Sequence, residues 1–548
     1  MKLITYINAA GLFLLLSAFT IRAQTNGSWI VDANGDWSQG TNWSGGSVPG
    51  GAESIVNFTN NITAHRAITI DDTSRTVGVL NVGDSDGSHA FTFGSSGAAL
   101  LIFDNGSSAA EINLSGGANT FGESPQTLSF QLNSSLTINN SSSSTQWFLR
   151  QASSQLSAGT SGTKILKNEG TGTGEVRLGA NISNGSGVIA IEQNSATSML
   201  TLTLNTGTYT GGVTVNAGRL RLGSSQALGA TNGILTLNGG GLSTFGGTAR
   251  SFNNAAIIGG DVVLGNATDN GEINFNGGVT LTTNSVLTIA SNIKMSKAMT
   301  GGYGITKAGA ATLTLIGSHT YSGDTTVSAG TLLLGVDGSI KNSPVVSIAN
   351  GATLDATTPG FEIQDGQTLK NAGTFTGSLT ALSGSTYAPG NSAGTATQNG
   401  DLALNLGSTF DWELIANTAS GAGSNFDQTV FLSGGLTIQS SVTANLIFNE
   451  GSSVDWSDSF WGSDQEWLLF SGADSLTANA GIFSTINVGV DSLSATLGSV
   501  RPDASFSFYN SGNDIYLQYT AVPEPSTMTT ILLVLGVGCL LRRRRSAA

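Results

Sequence analysis

Cysteine, charge and proline are all scarce in this 548-residue chain. Its one cysteine, Cys539, lies in an apolar run near the C-terminus. The body therefore has no disulfide, no thiolate metal site and no cysteine nucleophile. Charged residues make up 10% of the chain, against roughly 25% in an average soluble domain. Between the two ends there are fifteen bases against thirty-four acids, a net of −19. A surface of that sign repels nucleic acid and anionic lipid, so nucleic-acid binding is excluded. The fifteen bases show no local concentration along the sequence, which argues against a polysaccharide lyase, whose chemistry needs clustered bases. There is no phosphate-cradling Gly-Lys-Ser/Thr loop. No cofactor and no metal are expected.

What the chain does have is glycine, 75 residues of it, with 39% apolar residues and abundant Ser, Thr and Asn. That mixture suits many short strands joined by tight turns and disfavours helices. Two stretches align with each other: TLTLNTGTYTGGVTVNAGRLRLG (201–223) and TLTLIGSHTYSGDTTVSAGTLLLG (312–335). Each holds three short alternating runs broken at glycine, with Tyr209 matching Tyr321 and Gly218 matching Gly330. Weaker echoes follow at 234–242, 262–289 and 345–356. One-sided strands this short cannot bury themselves alone, but stacked coils can. The expected fold is all-β, a right-handed parallel β-helix, with a β-sandwich array as the competing architecture after about residue 400. Residues 24–400 are assigned to the solenoid, and 401–521 to its continuation or to a β-rich C-terminal cap.

These repeats resemble the autotransporter-associated β-strand repeat, most closely in GAATLTLIGSHTYSGDTTVSAGTLLLG (309–335). APGNSAGT (388–395), DLALNLGSTFDWEL and the tryptophan-rich start with Trp29, Trp37 and Trp43 are similar to other segments of that family. The resemblance implies an exported passenger-type solenoid. The chain departs from a true autotransporter in having no translocating barrel pattern after residue 521.

Both ends read as addresses. Residues 1–23 have a basic residue, an apolar stretch and a cut site between Ala23 and Gln24, the pattern of a secretory signal peptide. At the other end Val522, Pro523, Glu524, Pro525 and Ser526 precede an apolar run, Met528 to Leu541, and then Arg542, Arg543, Arg544 and Arg545. The run is short for a span, but the arginines would hold that side in the cytoplasm, making a C-terminal transmembrane helix. Residues 522–548 resemble the PEP-CTERM sorting signal of Gram-negative bacteria. That resemblance implies a membrane-embedded exosortase as processing partner, transient insertion in the inner membrane, and a mature protein at the cell surface or outside it, in contact with exopolysaccharide.

Within the body, catalytic candidates are few. His65, His89 and His319 are isolated, and His319 falls at a turn position that the other repeat fills differently. The acidic and aromatic stretch DWSDSFWGSDQEW (455–467) sets Asp455, Asp458, Asp464 and Glu466 among Trp456, Trp461 and Trp467. Those three tryptophans are candidates for glycan contact; as the alternative, they plug the end of the solenoid. DSDG (84–87) begins like a calcium loop but lacks the later ligands. The expected function is a non-enzymatic surface or matrix protein, with a carbohydrate-binding adhesin as the alternative and a polysaccharide-degrading enzyme third.

Overall fold

The computed structural model describes residues 24–522 apart from 124, 152, 180, 204–206 and 479–481. Among these the regular structure is almost entirely short strands joined by turns; the one α-helix is Leu497–Val500. Strands of two to seven residues alternate buried and outward positions, as in Leu136–Asn140 and Val188–Gln193. Period-2 alternation makes each strand one-sided, so it must lie on a neighbour from the next coil. In the first coils Ile55–Phe58, Arg66–Ile70 and Arg75–Val77 form three faces, and each pairs in parallel with its counterpart one coil later. The result is a three-faced parallel β-solenoid. The β-sandwich alternative is overturned, because parallel pairing continues past residue 400 through Leu402, Leu436 and Leu476.

One face is continuous from Gly35–Asp36 to Thr485–Val488. Each of the other two faces is built from two successive sheets with a gap between them. Among the described residues, the strands of one face stop at Asn181–Ile182 and resume at Arg250–Phe252. Those of the other stop at Met299–Thr300 and resume at Phe361–Ile363. The two aligned repeats lie at these gaps. In the first, Leu200–Leu202 and Arg219–Leu222 both pair into the continuous face. In the second, the corresponding Thr312–Leu315 and Thr331–Leu334 pair into the neighbouring face. The same sequence unit is thus set down twice, rotated by one face.

The repeat's tyrosine explains how a face can be skipped. Among the described residues these faces are reduced to single parallel bridges at the repeats, Ile182 with Gly207 and Ser318 with Ser339, and there Tyr209 and Tyr321 are fully buried. The Tyr209 hydroxyl donates to Ala227 O at 2.7 Å, and that of Tyr321 lies 2.6 Å from Thr325 Oγ1. A ring with a satisfied hydroxyl fills the volume that the shorter coil cannot fill with a strand. The shared glycine is equally fixed by geometry. Gly218 and Gly330 take φ of 64° and 63°, and a Cβ at either would run into the carbonyl of the preceding coil, at Ser195 or Gly309.

The interior is a column of apolar ladders. Phe93, Phe121 and Phe148 occupy one register position in three successive coils, their rings parallel and 4.8 Å apart. Outside, side-chain amides do what charge does elsewhere. Asn57, Asn81, Asn113 and Asn139 form a chain of amide hydrogen bonds of 2.7–2.8 Å along one face. This accounts for a polar exterior with few ions. Coil length is irregular: bonded asparagines are 24 residues apart at Asn57–Asn81, 22 at Asn194–Asn216 and 42 at Asn445–Asn487.

Both ends of the column are closed by tryptophan. At the start Trp29, Trp37 and Trp43 cluster around Phe58 with ring centroids 5.2–5.5 Å apart. At the finish an antiparallel hairpin, Ser505–Ser511 and Asp514–Thr520, covers the open edge of Gln465–Ser471. An exposed strand edge is a template for aggregation, so such a cover is required.

Candidate functional surface

The sorting motif is represented only by Val522, which is exposed. Ala23, Pro523, Glu524, Pro525, Ser526, Arg542, Arg543, Arg544 and Arg545 lie outside the described residues, as does the expected transmembrane helix. Among the described residues no helix is long and apolar enough to cross a membrane. Gln24, on the downstream side of the expected cut, donates to Glu53 O at 2.8 Å.

The proposed glycan contacts require correction. Trp456, Trp461 and Trp467 are buried, at 0–1% exposure. Their rings pack on one another and on Phe448, Phe506 and Tyr519. Each indole N–H is used internally, donating to Ala495 O, Asn417 Oδ1 and Thr418 O respectively. No indole face is left for a sugar; the three close the end of the core. Of the acids beside them, Asp458 caps the short turn Ser459–Gly462 by accepting from Phe460 N. Asp464 accepts from Ala521 N at 2.8 Å, and Glu466 from the Tyr509 hydroxyl.

Asp84, Asp86 and His89 come together in the DSDG turn. The buried Asp84 carboxylate accepts from Ile62 N at 3.0 Å, His89 N at 2.9 Å and the Ser88 hydroxyl at 3.2 Å. Ser88 hydrogen bonds hold the Asp86 carboxyl down to about 2. These oxygens are occupied in shaping a turn that locks one coil to the next. His65 and His89 meet edge to face at 5.6 Å, with His65 Nδ1 accepting from Ala90 N.

His319 is not at a tolerated surface turn. It is fully buried and its Nδ1 accepts from Met299 N at 3.0 Å, supplying a bond that the skipped strand would have made. Burial pulls its imidazole down to about 4. The sign follows from that depression: the stability contributed by the neutral ring is complete above pH 6.5 and is lost as pH falls through 4. Urea unfolding at a series of pH values should therefore show a loss on the order of 3 kcal/mol over that window that His319→Gln does not show. An identical acid limb in the variant would remove His319 as the cause.

A groove of about 330 Å³ lies beside the APGNSAGT loop, among Lys370, Ser392, Asp411, Glu413, Asp427 and Glu450. Asp427 accepts from Gly394 N at 2.8 Å and Glu413 N at 3.0 Å. Burial raises the carboxyls of Asp411, Glu413 and Asp427. Their effect on stability is opposite to that of His319, being complete at low pH and lost as pH rises through the raised values. It is common to wild type and His319→Gln, so it cancels from that comparison.

Basic residues that look dispersed in the sequence are gathered by the fold. On the outer side of the continuous face Trp147, Arg177, Thr201 and Arg221 occupy one register position in successive coils. The Arg150 and Arg177 guanidiniums lie 4.9 and 4.7 Å from the Trp147 ring. Arg177 and Arg221 lie 5.1 and 4.4 Å from Phe245, which is 37% exposed. Glu175 pairs with Arg177 at 2.7 Å and with Arg221 at 3.2 Å, while Asp269 lies 3.5 Å from Arg219 and from Arg221. Arg150 pairs with Glu123. Cation–π and carboxylate contacts hold these long side chains in fixed orientations. The expectation of no basic concentration is thus corrected: apart from Arg219 and Arg221, the arginines of the strip come from different coils and register neighbours are twenty to thirty residues apart in sequence, where linear inspection cannot see them.

Residues 197–222 and 305–334 match the passenger-associated-transport-repeat family. A stretch of 125 residues, 23% of this chain, is 34% identical to an extracellular serine protease of Serratia marcescens and covers 10% of that protein. Over 238 residues, 38% of the chain, it is 30% identical to the adhesin BmaC autotransporter of Brucella suis biovar 1 (strain 1330), covering 6% of that protein. The chain therefore spans a tenth or less of the length of these relatives. This protein is thus a parallel β-solenoid with two segments that match the passenger-associated-transport-repeat, one at each gap in its faces.

Proposed function

We propose that this protein is an exported, non-enzymatic β-solenoid of the cell surface or extracellular matrix. The observation that carries the reading is the pair of passenger-associated transport repeats within an unbroken solenoid. The coil is taken as right-handed, the hand that parallel crossovers almost always adopt. Export uses the signal peptide at 1–23. The C-terminal helix then holds the chain in the inner membrane until an exosortase cuts within or near Val522 to Ser526, after which the body is released or attached outside in contact with exopolysaccharide. Mass spectrometry of the C-terminus of protein recovered from the host is expected to find the chain ending between Val522 and Ser526. Recovery with Arg542 to Arg545 still attached would make the tail a permanent anchor and end the processing part of the reading.

A second reading, a carbohydrate-binding adhesin, is favoured by the likeness to an adhesin and by the arginine-aromatic strip, and no longer by the buried tryptophans. An enzyme is the least supported reading. The buried Asp427 spends its carboxylate on two backbone N–H groups, and Asp458 and Asp464 serve the C-terminal cap.

A further inference from the structure

Charge is segregated along the solenoid axis. Residues 150–307 carry ten bases against six acids, while 24–149 carry two against ten and 308–522 carry three against eighteen. In a solenoid, position in the chain is position along the rod, so a basic band is flanked by two acidic stretches. The arginine-aromatic strip lies in this band. Its arginines are ion-paired with Glu123, Glu175 and Asp269; the side chains of Arg150, Arg219 and Arg177 remain 43%, 28% and 22% exposed, while Arg221 is buried among them.

A groove of about 440 Å³ adjoins the strip, lined in part by Arg219, Gly241, Asp261, Val263, Asn266 and Thr288. Arg219, Gly241 and Val263 share one register position in three successive coils. The missing side chain at Gly241 therefore opens a space between an arginine and an exposed apolar patch, since Val263 is 43% exposed. The groove thus offers a cation at one edge, an apolar floor, and amide, hydroxyl and carboxylate groups at the rim. These suit a ligand with ring C–H faces, many hydroxyls and a carboxylate. Strip and groove together run along seven successive coils from Trp147 to Thr288, roughly 29 Å at the spacing of neighbouring strands, room for several sugar units. The acidic stretches on both sides confine a polyanion to this band of the rod.

We propose that the strip and groove around Arg150, Arg177, Arg219 and Phe245 bind a uronate-bearing polysaccharide, with these three guanidiniums engaging the sugar carboxylates and the buried Arg221 holding Glu175 and Asp269 beneath them. The proposal rests on the reading of this protein as exported, and deepens it by naming a site and a ligand class. Aromatic rings and carboxylates already hold the arginines in place, so little side-chain entropy is lost when they bind.

The test uses the exported protein, with polygalacturonate as probe and dextran as neutral control, in affinity electrophoresis. Polygalacturonate should retard the protein and dextran should not, with retardation weakened by salt. Arg150→Gln and Arg219→Gln, and the double variant Arg177→Gln/Arg221→Gln, are each expected to weaken binding about tenfold, the effect of one lost charge-assisted contact. Lys294→Gln/Lys297→Gln removes two charges from the same band on another face and should bind as wild type. Arg150 has 43% of its side chain exposed, so its variant remains informative if the double variant unfolds. No retardation by polygalacturonate, equal loss in the lysine variant, or retardation by dextran sulfate alone would overturn the proposal. So would salt-sensitive self-association in sedimentation that Arg150→Gln abolishes, which would make a second copy the occupant. Surface placement is read separately, by protease accessibility on intact cells. If that fails, the exported reading falls; if only binding fails, the site falls.

Discussion

Phe121→Ala is expected to cost about 3–5 kcal/mol and to loosen a few coils rather than the whole molecule. Phe121 is fully buried and lies between Phe93 and Phe148, 4.8 Å from each, with Phe130 edge-on at 5.8 Å. Its removal opens a cavity that neighbouring rings cannot close, because each is held by its own strand in the ladder. In a solenoid each coil touches only the coils before and after it, so the damage should stay local. Hydrogen exchange by mass spectrometry should show lost protection in Phe91–Ser95, Thr120–Phe121 and Gln146–Phe148. Protection in residues 305–334 should be unchanged. Phe121→Leu, which keeps most of the volume, should show a much smaller effect. Uniform loss of protection over the chain would mean that the body unfolds as one cooperative unit.

Trp461→Ala acts at the end of the column, with comparable cost and a different consequence. The ring packs on Trp456 at 4.6 Å and Tyr519 at 5.0 Å, and its backbone carbonyl accepts from the Tyr519 hydroxyl at 3.0 Å. Tyr519 belongs to the hairpin that pairs with Gln465–Ser471. Truncating Trp461 should cost about 3–5 kcal/mol and release that hairpin, leaving the strand edge unpaired. An unpaired edge recruits other chains. The expected results are early proteolytic cleavage between 455 and 522 and concentration-dependent association by light scattering, with polygalacturonate binding retained by the intact middle coils. A variant that stays monomeric and protease-resistant would show that the cap does not depend on this ring.

The two caps also show why residue type alone misassigned a site. Interleaved Trp and Asp in 455–467 has the composition of a sugar-binding surface and equally that of a terminal plug with capped turns. The choice depends on whether the indole faces point to water, which is settled by the hairpin 505–520, forty residues downstream. His319 makes the same point. Its neighbour in the alignment suggests a surface turn, yet its ring replaces a backbone partner in a strand that the coil omits.

Much was nonetheless set by the sequence by itself. Period-2 runs broken at glycine dictate one-sided strands, and one-sided strands of three to five residues leave stacking as the way to bury them. Scarce charge with abundant Asn, Ser and Thr dictates an exterior of amide and hydroxyl ladders. The aligned repeats mark where the solenoid is irregular. The tertiary structure alone decided on which face each repeat falls, since both copies obey the same alternation and any of the three faces would accept them. It alone assembled the basic strip as well. Trp147, Arg177 and Arg221 become neighbours only through parallel register between coils, and coil length varies from about 20 to 42 residues. With no constant period linking sequence position to spatial position, the strip exists in the folded chain and nowhere in the linear one.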